Sequence, residues 1–177
     1  TLTTTEITAL TSGQAGALTS AQLAGLTTTK FAALSTTGIS AISTTAIAGI
    51  SVADIAALTT TQGNSFTTTQ IAALTTAQVV ALETRDLVAL GTAAVRALNT
   101  ADIVALTTAQ VGALTTTQVA ALTTGQVAAL ETADLVALGS SQLAAFTTAQ
   151  IAALTTAQVG VIETRDLVAL GTAAVRA

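Results

Sequence analysis

The 177-residue sequence predicts an all-α solenoid of short helices, one for each eight-residue repeat. Three observations lead there: an unbroken octad register, a helix-start signal in most octads, and two apolar positions per octad, too few to form a core alone. The register begins at Thr3. It runs through 21 complete octads, Thr3–Leu10 to Glu163–Leu170, and a last one cut at seven residues, without insertion or deletion. Residues 1–177 therefore read as one uninterrupted array of 22 octads. The consensus is T-T-A-Q-V-A-A-L, nearly pure at Thr115–Leu122 and Thr147–Leu154.

The first element to justify is the helix itself. A continuous α-helix advances about 100° per residue, so the apolar stripe would drift about 80° per octad and face no single partner. A strand fails as well. Apolar positions five and eight have opposite parity and would point to opposite faces of a sheet. The helix must stop and restart once per octad.

The restart signal is at position one, which is Thr, Ser, Asn or Gly in 19 of 22 octads, the residue types preferred as N-caps. Position four is Gln, Asp or Glu in 17 of 22, completing a capping box in many copies. Position eight falls just before the next cap and the following position five falls at N4, the spacing of a hydrophobic staple. Position eight is Leu, Ile or Phe in all 21 octads that reach it, and position five departs from Val, Ile, Leu or Phe only at Ala15 and Gly63. One Val and one Leu do not offset the backbone entropy of an ordered octad, so neighbouring octads must stack. Small residues at positions six and seven would let the stacked helices approach closely.

The charges predict two octads per coil. Counting octads from zero at Thr3, all nine acidic residues are in even octads, which sum to −7, while the odd octads sum to +3. Even and odd helices would then form two walls. Eleven such coils at a helix-packing distance of ~8–10 Å would make a rod roughly 90–110 Å long. An internal duplication competes with this explanation of the charges. Residues 75–97 and 155–177 agree at 20 of 23 positions.

Composition removes several function classes. Thr and Ala together make up nearly half of the chain, and there is no Cys, His, Met, Trp, Tyr or Pro. A disulfide scaffold, a zinc or haem site and a Cys- or His-based catalyst lack their residues. A net charge of −4 argues against nucleic acid. Mean hydropathy is high at +0.74, yet no stretch approaches 18 apolar residues free of Thr and Gln, so no membrane span is expected. No catalytic, cofactor-binding or metal-ligating residue is predicted. No cofactor or small-molecule substrate is expected, and the expectation is a non-enzyme.

Four features bear on that expectation. Glu83/Asp86 and Glu163/Asp166 are paired carboxylates, but they occupy cap and capping-box positions. Arg96 and Arg176, one octad further on, are placed to pair with those acids. Gly63-Asn64-Ser65 interrupts the core pattern as a notch, a bend or a degenerate repeat. Thr runs such as Thr27-Thr28-Thr29 would suit ice or O-linked sugar if they formed an ordered ladder.

The pattern L-T-T-x-Q-V-A-A-L, as at Leu114–Leu122, resembles Thr/Ala-rich octapeptide arrays of large bacterial secreted or surface proteins, adhesin- or fibre-like. That resemblance implies an extracellular or cell-surface structural protein and transfers no functional residue. The lack of Cys agrees with export as an unfolded chain. Neither end carries an atypical polar repeat, so the expectation is an excerpt of a longer array or end-to-end stacking on a second copy. The expected partner is therefore the chain itself, as a spacer or self-assembling fibre. The alternative is a binding module in which one wall grips a peptide, glycan or ice surface.

Overall fold

The computed structural model describes residues 2–163 and 170, and all regular structure among them is helical. The chain divides into two compact units, Thr1–Leu90 and Gly91–Ala177. The first contains α1 (Thr4–Thr8), α2 (Ser12–Gly16), α3 (Ser20–Ala24), α4 (Thr28–Phe31), α5 (Thr36–Ala41), α6 (Thr44–Ile47), α7 (Val52–Ala56), α8 (Thr60–Gly63), α9 (Thr68–Ile71), α10 (Thr76–Ala81) and α11 (Thr84–Ala89). The second contains α12 (Thr92–Ala97), α13 (Thr100–Ala105), α14 (Thr108–Ala113), α15 (Thr116–Ala121), α16 (Thr124–Ala129), α17 (Thr132–Ala137), α18 (Ser140–Leu143), α19 (Thr148–Ala152) and α20 (Thr156–Val161). Each described octad makes one helix, starting after the predicted cap.

Many of the joints are made of two extended residues. Leu82, at position eight, ends α10 with φ −61° and ψ 127°, and Glu83 caps α11 with φ −67° and ψ 149°. The pair Leu114 and Thr115 repeats this geometry. With φ negative at both residues, the bend needs neither Gly nor Pro, which explains their absence from most joints.

Within each unit, a helix packs on the one three places further along. In the first unit the pairs run α1·α4, α2·α5, α3·α6, α4·α7 and on to α8·α11; in the second they run from α12·α15 to α17·α20. The solenoid expectation is met, but the two-octad coil is not: a coil is three octads. A two-octad coil would stack each helix on the one two places further along, whereas the contacts recur at three places. The eleven-coil count falls with that correction. So do the two charged walls, because a three-octad coil places even and odd octads alternately on each wall. Glu6 on α1, Lys30 on α4 and Asp54 on α7 follow one another on a single wall.

Positions five and eight line the core as predicted. Ile39, Ile47, Ile55, Val79, Leu87, Val111, Val119 and Val127 have no exposed surface, and the position-eight residues Ile42, Leu58, Leu98 and Leu122 are also buried. Small residues bring the stacked helices together. A Cβ added to Gly16 would lie 2.8 Å from the Ala41 carbonyl oxygen, and one on Gly49 would overlap the backbone of Ser20.

Candidate functional site: the octad joint

The joint is where polar chemistry and burial coincide. At Thr75 the cap closes in both directions: the hydroxyl accepts the Gln78 N–H at 3.3 Å, and Gln78 Oε1 accepts the Thr75 N–H at 2.8 Å. The same reciprocal pair forms at Thr67/Gln70, Thr115/Gln118, Thr147/Gln150 and Thr155/Gln158. These bonds satisfy N–H groups that every helix start leaves without an intrahelical partner.

The glutamine has a second role that local spacing does not show. Gln78 is 2% exposed, and its Nε2 donates to the carbonyls of Ile47 and Ile50 at 2.8 and 2.7 Å. Gln70 reaches Ile39 and Ile42 in the same way, Gln126 reaches Val95 and Leu98, and Gln158 reaches Val127 and Leu130. Each acceptor pair lies 31 and 28 residues back, at the joint of the turn beneath. One side chain thus caps its own helix with its oxygen and ties its turn to the previous one with its nitrogen. The amide also gives a partner to the position-eight carbonyl and a second one to the position-five carbonyl, which already accepts the position-eight N–H.

A carboxylate keeps the cap and loses the tie. Asp54 and Asp102 exchange bonds with Ser51 and Asn99 but have no N–H to donate. Asp54, Asp86 and Asp102 are at most 1% exposed, and each has one carboxylate oxygen without a hydrogen-bond partner. Burial raises the Asp102 carboxyl above its ordinary range, opposed by the bond from the Asn99 N–H. Asp134 is also raised, first by burial and further by the Glu131 charge, with the Glu131 N–H and the Thr108 hydroxyl opposing. Glu6, exposed on α1, is lowered by the Thr3 N–H and hydroxyl.

The other candidate residues take structural roles. Glu83 caps α11 and pairs with Arg85 at 2.8 Å, while Asp86 is buried 3.7 Å from the Arg85 Nε and accepts the Thr60 hydroxyl at 2.7 Å. Arg96 does not reach these acids; its Nη1 donates to the Ala121 carbonyl at 3.2 Å, one coil further along. The Gly63-Asn64-Ser65 octad folds as a normal repeat. Asn64 ends α8, the Ser65 hydroxyl donates to the Gln62 carbonyl at 2.6 Å, and Gly63 is buried against the Asp86 side chain. Asp166, Arg176 and most of the second duplicate copy lie outside the described residues. Among the described residues, no three Asp or Glu side chains converge as a metal site. No helix there is long and apolar enough to cross a membrane. One open pocket of about 210 Å³ is lined by Leu2, Leu18, Gln22, Gly25, Leu26 and Lys30.

Comparison with curated proteins and with solved structures returns no match. Comparison with protein families does. The ALTTAQ repeat matches residues 47–84, 79–116, 100–130 and 127–161, together about two thirds of the chain. The hexapeptide stands unaltered at Ala73–Gln78, Ala105–Gln110 and Ala153–Gln158, so it spans the end of one helix, the cap of the next and the tying glutamine. The family signature is therefore the joint itself, and the chain belongs to the ALTTAQ repeat family.

Proposed function

We propose that the chain is a non-enzymatic structural protein, an extracellular spacer or fibre subunit that extends by stacking one solenoid turn on another. The carrying observation is that the turn-to-turn contact recurs along each unit: two core residues per octad, and a tying glutamine at many of the joints. Such a contact accepts any further turn of the same kind, whether from the same chain or from a second copy. The turn formed by α1, α2 and α3 displays the donating half of it. Gln14 and Gln22 are capped as elsewhere but exposed, and Leu10, Leu18 and Leu26 are only half-buried, where most later position-eight residues are buried. The extracellular setting rests on the absence of Cys and on the resemblance to bacterial surface arrays.

Electron microscopy of the purified chain across a concentration series tests the stacking. Uniform filaments that lengthen with concentration are the expected result. They should shorten sharply when Gln14 and Gln22 are both replaced by Glu, which keeps the caps and removes the donors. Particles of one fixed length at every concentration would refute self-assembly and leave the passive spacer.

A further inference from the structure

Along position four, glutamines and residues without an N–H to donate come in threes. Counting octads from zero at Thr3, octads four to six carry Gly38, Ala46 and Asp54, and octads seven to nine carry Gln62, Gln70 and Gln78. Octads ten to twelve return to Asp86, Ala94 and Asp102, and octads thirteen to fifteen to Gln110, Gln118 and Gln126. Three glutamines tie a whole turn. Gln62 donates to the Ala32 and Leu34 carbonyls at 2.9 Å each, and Gln70 and Gln78 donate to the next two joints. Every joint of the turn formed by α4, α5 and α6 is therefore held by the turn above it.

The turn formed by α1, α2 and α3 has no such hold. By the spacing that the glutamines obey, the carbonyls of Ile7 and Leu10 fall to Gly38, those of Ala15 and Leu18 to Ala46, and those of Leu23 and Leu26 to Asp54. Gly38 and Ala46 carry no polar side-chain group, and Asp54 leaves Oδ1 buried without a hydrogen-bond partner. Among the described residues, the side-chain bond that crosses between these two turns runs from the exposed Thr8 hydroxyl to the Ala33 carbonyl, at 3.2 Å. Packing there is close but thin. Gly16 lies against Ala41, Gly49 against Ser20 and Gly38 beside Ala15, and Ala15 fills a core position that is Val, Ile, Leu or Phe in nearly every other octad. Small residues on both sides bury less apolar area than the usual pair.

We propose that this boundary is a built-in opening seam, at which α1, α2 and α3 part together from α4, α5 and α6 while α4–α10 stay joined. In a stack held by nearest-neighbour contacts the weakest interface opens first, and the helices on one side of it open as one unit. The return of donor-free residues at Asp86, Ala94 and Asp102 makes the seam a feature of the repeat pattern rather than of one turn's place in the chain. It holds whether or not one chain stacks on another.

Hydrogen exchange of the dilute chain across a series of low denaturant concentrations tests the seam. Amides of α1, α2 and α3 should share one denaturant dependence and exchange about 10²–10³-fold faster than those of α8, α9 and α10, each missing tie counting for about tenfold. The variant Ala46→Gln/Asp54→Gln supplies donors for the Ala15, Leu18, Leu23 and Leu26 carbonyls. It should slow exchange in α1, α2 and α3 about tenfold or more and leave α8, α9 and α10 unchanged. Graded exchange, fastest in α1 and slowest in α3, would be simple end fraying and would overturn the proposal. Equal protection of the two turns would overturn it too, as would a variant that slows neither turn or both alike. Should the double variant fail to fold, the wild-type profile and Asp54→Gln alone decide the matter by the same criteria.

Discussion

The turn formed by α1, α2 and α3 and the turn formed by α8, α9 and α10 have the same local chemistry and differ in surroundings. Position four is Glu6, Gln14 and Gln22 in the first and Gln62, Gln70 and Gln78 in the second, and all six close a capping box. The first three are exposed, whereas the second three are buried and donate to the turn beneath. The comparison separates two functions of one side chain. Capping is local and needs only an acceptor, which a carboxylate supplies as well as an amide. Tying is tertiary and needs a donor.

The sharpest way to break the comparison is to remove the donor in both places. Gln70→Glu should destabilise by about 2–4 kcal/mol, because a buried carboxylate would face the Ile39 and Ile42 carbonyls that the amide now satisfies. Gln14→Glu should change stability by less than about 0.5 kcal/mol, since its cap survives and its surroundings are water. Denaturant midpoints for the two variants decide this, and equal effects would mean that the ties contribute nothing. Packing supplies the next test, read by the same midpoints. Gly49→Ala forces a Cβ into the Ser20 backbone and should cost about 1–3 kcal/mol, while Gly13→Ala, whose Cβ would meet nothing, should gain about 0.4–1 kcal/mol. The smallest expected effect is at the caps. Gly91 starts α12 without a side-chain bond, so Gly91→Ser should stabilise by a few tenths of a kcal/mol, read as slower hydrogen exchange in that helix.

Much of the joint was legible in the residues. Thr75 as cap, Gln78 as its reciprocal partner and Leu82 and Val79 as core follow from spacings inside a single octad, within the reach of local rules. The tying bond was not legible in that way, although a trace of it was present. A capping box tolerates Glu and Gln alike, yet position four is Gln in eleven octads and Glu only at Glu6. That bias marks a demand for a donor. Nothing local reveals the acceptor, which lies more than three octads back along the chain. The charge pattern misled for a related reason: even and odd octads differ, but parity becomes a wall only if the coil holds an even number of octads.

The sequence by itself determined the octad, the restart of the helix at each cap, the two core positions and the small residues between stacked helices, since each depends on neighbours within one or two turns of chain. Only the tertiary structure decided that three octads close a coil and that position four ties coil to coil. Those outcomes depend on the angle at which two extended residues join successive helices, and that angle sets which distant carbonyls a glutamine meets.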